Sequence, residues 1–142
     1  MAIRSPAGDK GDTPVKRAMI SIVDDDKSVR EAAGRLLKSL GYATATFASA
    51  EDFLQSGRLH ETACLITDVQ MPGMSGIDLQ DHLCASGAAT PVIFVTAFPE
   101  DALRQRALGA GAFGFLTKPI SVQSLIACID KALAHCRSKM SG

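Results

Sequence analysis

Four apolar runs in this 142-residue sequence lead into groups that can do chemistry. AMISIV (18–23) runs into Asp24, Asp25 and Asp26, and ACLIT (63–67) into Asp68. PVIFVT (91–96) ends on Thr96, and AFGFLT (112–117) is followed by Lys118. Singly, each has an ordinary reading: a solvated acidic turn, a helix-capping Thr, an exposed Lys. Together they constrain the chemistry. Converging carboxylates repel one another, which raises their pKa values and costs stability unless a cation is present. An oxygen-only donor set suits a hard ion such as Mg2+, which takes about six oxygens and keeps several waters. A carboxylate beside such an ion can attack phosphorus and become an aspartyl phosphate. Lys118 would neutralise the transferring phosphoryl oxygens, and Thr96 would offer one of them its hydroxyl. Asp68 stands alone and is the expected nucleophile; the grouped acids Asp24 to Asp26 look like metal ligands.

That chemistry requires the four run ends to share one edge, and the remaining pattern supplies it. ACLIT and PVIFVT are continuous apolar runs, as expected of strands covered on both faces. YATATF (42–47) alternates small, polar and aromatic residues, as an outer strand would. Between the runs lie helical stripes. Val29, Ala32, Ala33, Leu36, Leu37 and Leu40 form the first, which stops at Gly41. Ser49 with Asp52, and Ser75 with Asp78, open the second and third helices. A weakly amphipathic helix is expected near 100–108, and Val122, Leu125, Ile126, Ile129, Leu133 and Cys136 stripe the last one. Five alternations of strand and helix predict a doubly wound α/β sheet, in which ligands bind at the carboxyl ends of the strands.

The segments IVDDDKSVR, LITDVQMPGMSGIDL, VIFVTAF and GAFGFLTKP together resemble the receiver domain of two-component response regulators, over about residues 18–137. Any one segment is a weak signal; the linked set is highly specific. The resemblance implies a flavodoxin-like (βα)5 fold with strand order 2-1-3-4-5. It also implies that Asp68 accepts a phosphoryl group from a sensor histidine kinase or phosphotransfer protein. In the metal site it implies Asp25 in direct contact with Mg2+, Asp24 acting largely through water, and a ligand from the Gln70 backbone carbonyl. Thr96 and Lys118 would contact the phosphoryl group, Phe115 would be the aromatic switch, and Lys118–Pro119 is expected to be cis. Asp26 extends the acidic pair and is expected only to start a helix. Gln70 and Phe98 stand at variable positions of the family, where water access to the phosphoryl group is set. The segments look most like the receivers of nitrogen-fixation type regulators, which usually precede a helix-turn-helix domain. No such domain follows here, so a stand-alone receiver over 18–138 is expected, with a disordered leader (1–17) and a short tail (139–142). Its output would be a protein partner or a second copy, bound by the face of the fourth helix, fifth strand and last helix.

The resemblance implies a phosphoacceptor signalling domain rather than a turnover enzyme. Fifteen basic residues balance fifteen acidic ones, which leaves no electrostatic footprint for nucleic acid or an anionic membrane. No apolar stretch is long enough to span a bilayer and none resembles a secretory signal, so a cytoplasmic protein is expected. Cys64, Cys84, Cys128 and Cys136 make no C-x-x-C pair, and buried reduced thiols are expected on the strand at Cys64 and the stripe at Cys136. His60, His82 and His135 are scattered and expected on the surface. One rival is a haloacid-dehalogenase-like phosphatase, with Asp24 as nucleophile and Asp26 as acid/base. It leaves Asp68 unexplained and lacks a late acidic pair, since only Asp130 follows the lysine. A receiver-shaped adaptor that works without phosphorylation is the other.

Overall fold

In the computed structural model, the structure describes residues 18–141, with side chains as far as His135. The expected leader, the Cys136 side chain and Gly142 therefore lie outside the described residues. Five parallel strands, β1 (Met19–Val23), β2 (Ala43–Phe47), β3 (Thr62–Asp68), β4 (Val92–Thr96) and β5 (Gly114–Thr117), form one sheet in the order β2-β1-β3-β4-β5. The connecting helices are α1 (Lys27–Ser39), α2 (Ala50–Gln55), α3 (Gly76–Ala85), α4 (Asp101–Gly109) and α5 (Val122–Ser141). A single 3-10 turn at Arg58–Glu61 was not foreseen; it follows Gly57 and has no apolar periodicity to betray it.

Successive strand residues point to opposite faces, and both faces of this sheet are buried. Ile20, Ile22, Cys64, Ile66, Ile93 and Val95 pack with Leu37 of α1 and Leu125, Ile129 and Leu133 of α5. Val23, Leu65, Val92 and Phe94 pack on the other side with Phe53 of α2, Leu79 and Leu83 of α3 and Ala107 of α4. The outer position expected for β2 is the observed one, and its half-polar sequence fits an edge that only β1 pairs.

Caps set where the helices begin. Asp26 is the N-cap of α1: its carboxylate accepts from the Ser28 and Val29 N–H groups, so its role is structural, as anticipated. Ser75 and Asp78 complete a reciprocal capping box at α3. At α2, Ser49 accepts from the Asp52 N–H at 3.0 Å. His60, His82 and His135 are exposed, and His135 lies against the Phe113 ring. Cys64 is fully buried in β3, whereas Cys84 is exposed and Cys128 half-buried.

Candidate functional site

The carboxyl edge of the sheet gathers the chemical groups. Asp24 follows directly on β1, Asp68 ends β3, Thr96 ends β4 and Lys118 follows directly on β5. Because β1 and β4 flank β3, the edge is in register: Val23 pairs with Thr67, and Asp68 pairs with Val95, one residue before Thr96.

Asp24 is held from every side. Its N–H donates to the Phe47 carbonyl at 3.1 Å, and its carbonyl accepts from the Arg30 guanidinium at 2.8 Å. Its Oδ1 accepts from the Asp26 N–H at 2.9 Å, and its Oδ2 pairs with the Lys118 ammonium at 3.0 Å. Asp68, almost as buried, places Oδ2 3.0 Å from the same ammonium and Oδ1 3.3 Å from the Gln70 N–H. Asp25 is exposed, yet Asp24, Asp25 and Asp68 each offer a carboxylate oxygen within 4.8 Å of the others. Lys118–Pro119 is cis, as expected, and the Lys118 N–H donates to the Thr96 carbonyl at 2.8 Å, tying the ends of β4 and β5 together.

The electrostatics follow from this crowding. Burial pushes the Asp68 carboxyl above its usual value, and repulsion from Asp24 adds to the rise; the hydrogen bond from Lys118 opposes them without cancelling them. For Lys118, burial pulls downward, but hydrogen bonds to Asp24 and Asp68 and their charges lift the ammonium above its usual 10.5. One ammonium bridges two of three clustered carboxylates, so two formal negative charges lack a counterion among these four groups. A divalent hard cation fits that deficit and that all-oxygen donor set.

The other expected residues lie nearby with less to say. Thr96 is fully buried, and its Oγ1 accepts from the Phe98 N–H at 3.1 Å. Phe98 itself is 62% exposed beside the site. Phe115 is half-buried on β5, pairs with Phe94 across the strands and tilts against its ring at 6.4 Å. The Gln70 side chain is exposed, leaving the main chain as the part directed to Asp68. Two supports escaped sequence reading. Arg30 grips the Asp24 carbonyl, and Gly76 lies so close to β3 that a Cβ there would run into the Asp68 carbonyl. Only the PGMSG turn hinted at the second.

The doubly wound sheet with paired acids, a strand-end acid and a lysine on its carboxyl edge is the arrangement that the resemblance to receiver domains implies. The chain belongs to the response regulator receiver domain family, whose model matches residues 20–130. Nodulation protein W of Bradyrhizobium diazoefficiens is 35% identical over 123 residues, 87% of this chain and 54% of its own. Transcriptional regulatory protein FixJ of Azorhizobium caulinodans is 39% identical, over 82% of this chain and 55% of that protein. The chain thus spans about half the length of the curated relatives it matches. The crystal structure of FixJ-N superposes with a TM-score of 0.74 at 32% identity, covering 82% of this chain and 94% of that one. A receiver domain protein from Clostridium thermocellum superposes at 0.79 with 27% identity, covering 88% and 99%.

The phosphatase alternative finds no support in these matches, and the geometry disfavours it. The Asp26 carboxylate is taken up by the Ser28 and Val29 N–H groups at the start of α1, where an acid/base could not serve Asp24. Asp130 lies on α5, exposed, with the Tyr42 hydroxyl as its partner at 3.5 Å.

Proposed function

We propose that Asp68 accepts a phosphoryl group from a phosphohistidine of a sensor histidine kinase or phosphotransfer protein, and that the phosphorylated domain signals through a protein-binding face. The observation that carries this reading is the Asp68 carboxylate itself. It ends a central strand with one oxygen on the Lys118 ammonium, the other on a main-chain N–H, and two further acids within ligand distance.

In the transfer, an Asp68 oxygen forms the new bond to phosphorus as the phosphorus–nitrogen bond breaks. The departing imidazole nitrogen keeps the electron pair and takes up a proton. Asp24, Asp25, Asp68 and the Gln70 carbonyl would hold Mg2+, whose charge would offset that of the phosphoryl oxygens and the converging acids. Lys118 already sits on Asp68 Oδ2, so its ammonium would meet the incoming phosphoryl oxygens at the atom they join. Thr96 would exchange its bond with the Phe98 N–H for one to a phosphoryl oxygen. Little covalent work is asked of the protein, so positioning and charge carry the acceleration.

The role is that of a phosphoacceptor, and the output is a contact with another protein or a second copy through α4, β5 and α5. Relatives named as transcriptional regulators extend well beyond the matched region, and DNA contact in those proteins need not involve this domain. No described helix is long and apolar enough to cross a membrane.

The test is incubation with Mg2+ and acetyl phosphate, followed by mass spectrometry. A single acid-stable, base-labile adduct should map to Asp68 and vanish in Asp68→Ala. Asp25→Asn, altering an exposed ligand, should keep the fold and lose most Mg2+ affinity. An adduct that survives Asp68→Ala, or maps to Asp24, would overturn the assignment.

A further inference from the structure

The segment that joins Asp68 to α3 is pinned at three places. At its base the Gly76 N–H donates to the Val69 carbonyl at 2.9 Å. In its middle Met71 is buried in the core. At its tip the Met74 N–H donates to Oε2 of Glu51 at 3.0 Å, a carboxylate from the first turn of α2, 23 residues away in sequence. The same carboxylate packs against Gly73, where an added Cβ would stand 2.7 Å from Oε2 and where φ is +78°. The Met-Pro-Gly-Met turn therefore owes its placement partly to a side chain from a neighbouring helix.

We propose that Glu51 is a positioning residue for the metal and phosphoryl site. By clamping the Met74 N–H it holds the main chain of residues 70–74, and with it the Gln70 carbonyl. The inference rests on the Mg2+ reading of the site given above. Glu51 is only half-buried, at the start of a short helix. Removing it should therefore loosen the loop and leave the core alone. A plain charge effect is the competing explanation, because Glu51 puts a negative group on the loop that leaves Asp68. Glu51→Gln separates the two: its amide oxygen can still accept from the Met74 N–H, but it carries no charge.

The measurement uses the full chain. Amide exchange at Met74 is followed in the metal-free protein, and Mg2+ binding by calorimetry. In Glu51→Ala, Met74 exchange should accelerate about tenfold as a charge-assisted bond is lost. Mg2+ binding should weaken about tenfold in the same variant, the lower end for lost outer-shell support. Glu51→Gln should restore both to within about twofold of wild type, since the acceptor is kept. Wild-type Met74 protection in Glu51→Ala would overturn the clamp. Equal Mg2+ losses in Glu51→Ala and Glu51→Gln, with Met74 protected in the latter, would assign the effect to charge and overturn positioning. A wild-type protein that takes up no Mg2+ would sink the site reading itself, a failure separate from either.

Discussion

The Lys118 ammonium stands 3.0 Å from Oδ2 of Asp68. It lies equally close to Oδ2 of Asp24, so one cation bridges the two buried acids of the edge. Lys118→Ala removes the only basic partner that these contacts record for either carboxylate, leaving both buried and mutually repulsive. The metal-free protein should lose roughly 3–5 kcal/mol of stability, as when a buried pair is broken from one side. Mg2+ should recover part of the loss. The variant should bind Mg2+ yet respond weakly to beryllofluoride, because the lysine faces the phosphoryl oxygens. Urea unfolding with and without Mg2+ measures the first effect, and amide shifts on beryllofluoride addition measure the second; a full wild-type response would contradict the role.

The pH dependence of the metal-free protein follows from the same contacts. Burial raises native Asp68 above the usual 3.8, so the native state keeps a proton that the unfolded chain has already released. Stability should fall as pH rises from 3.8 through the raised native value. Lys118 acts at the alkaline end. Burial lowers its pKa, but its bonds to Asp24 and Asp68 raise it further, so its contribution is complete below 10.5 and lost as pH climbs through the raised native value. Asp68→Asn should flatten the acid-side slope and keep the alkaline one, since Asp24 still holds the lysine. Urea midpoints between about pH 4 and 7 check this, and a wild-type slope in Asp68→Asn would refute the attribution.

Gly76 tests how closely the site depends on helix placement. Alanine is the better helix former by about 1 kcal/mol, so propensity alone favours Gly76→Ala. Its Cβ, however, would collide with the Asp68 carbonyl and crowd the Phe94 ring, and the former is backbone that cannot turn aside. The substitution should cost roughly 1–3 kcal/mol, the range for overpacking, and slow phosphorylation from acetyl phosphate. A variant as stable and as reactive as wild type would show that α3 slides away without disturbing Asp68.

What could be read from the sequence was what travels with local pattern. Continuous apolar runs marked β3 and β4 as covered on both faces, and the group after each run placed Asp24, Asp68, Thr96 and Lys118 on one edge. Asp26 was legible as a cap because capping is a matter of two or three residues. The supports were not. Arg30 on the Asp24 carbonyl, Glu51 on the Met74 N–H and the Gly76 approach are side-chain or steric contacts with main chain, brought about by tertiary packing. Buried Ser21 was equally silent: its hydroxyl meets Thr62 Oγ1 at 2.6 Å, while Thr62 donates to the Arg58 carbonyl across the unforeseen 3-10 turn. Spacing shows where an element ends; it carries no record of which distant side chain grips it.

Signalling requires that a local charge become a change of surface. A phosphoryl group adds roughly −1.5 to −2 charges at neutral pH. The route with least resistance runs through α4. That helix begins at Glu100 without a side-chain cap, and Ala107 is its only buried residue. Gln80 reaches the Ala107 carbonyl at a long 3.4 Å, and the Arg106–Asp81 pair is exposed, worth about 0–1 kcal/mol. If Thr96 turns to a phosphoryl oxygen, its bond to the Phe98 N–H at the entrance to α4 is given up. Phe115, half-buried and tilted against Phe94 on the neighbouring strand, is the side chain placed to follow it inward. Beryllofluoride with Mg2+ should therefore change hydrogen exchange across residues 96–118 as well as in the loop after Asp68. Phe115→Ala should keep the loop response and lose the distal one. Changes confined to the loop in wild type would mean that Phe115 is a fixed core aromatic and that this face is driven by something other than Asp68.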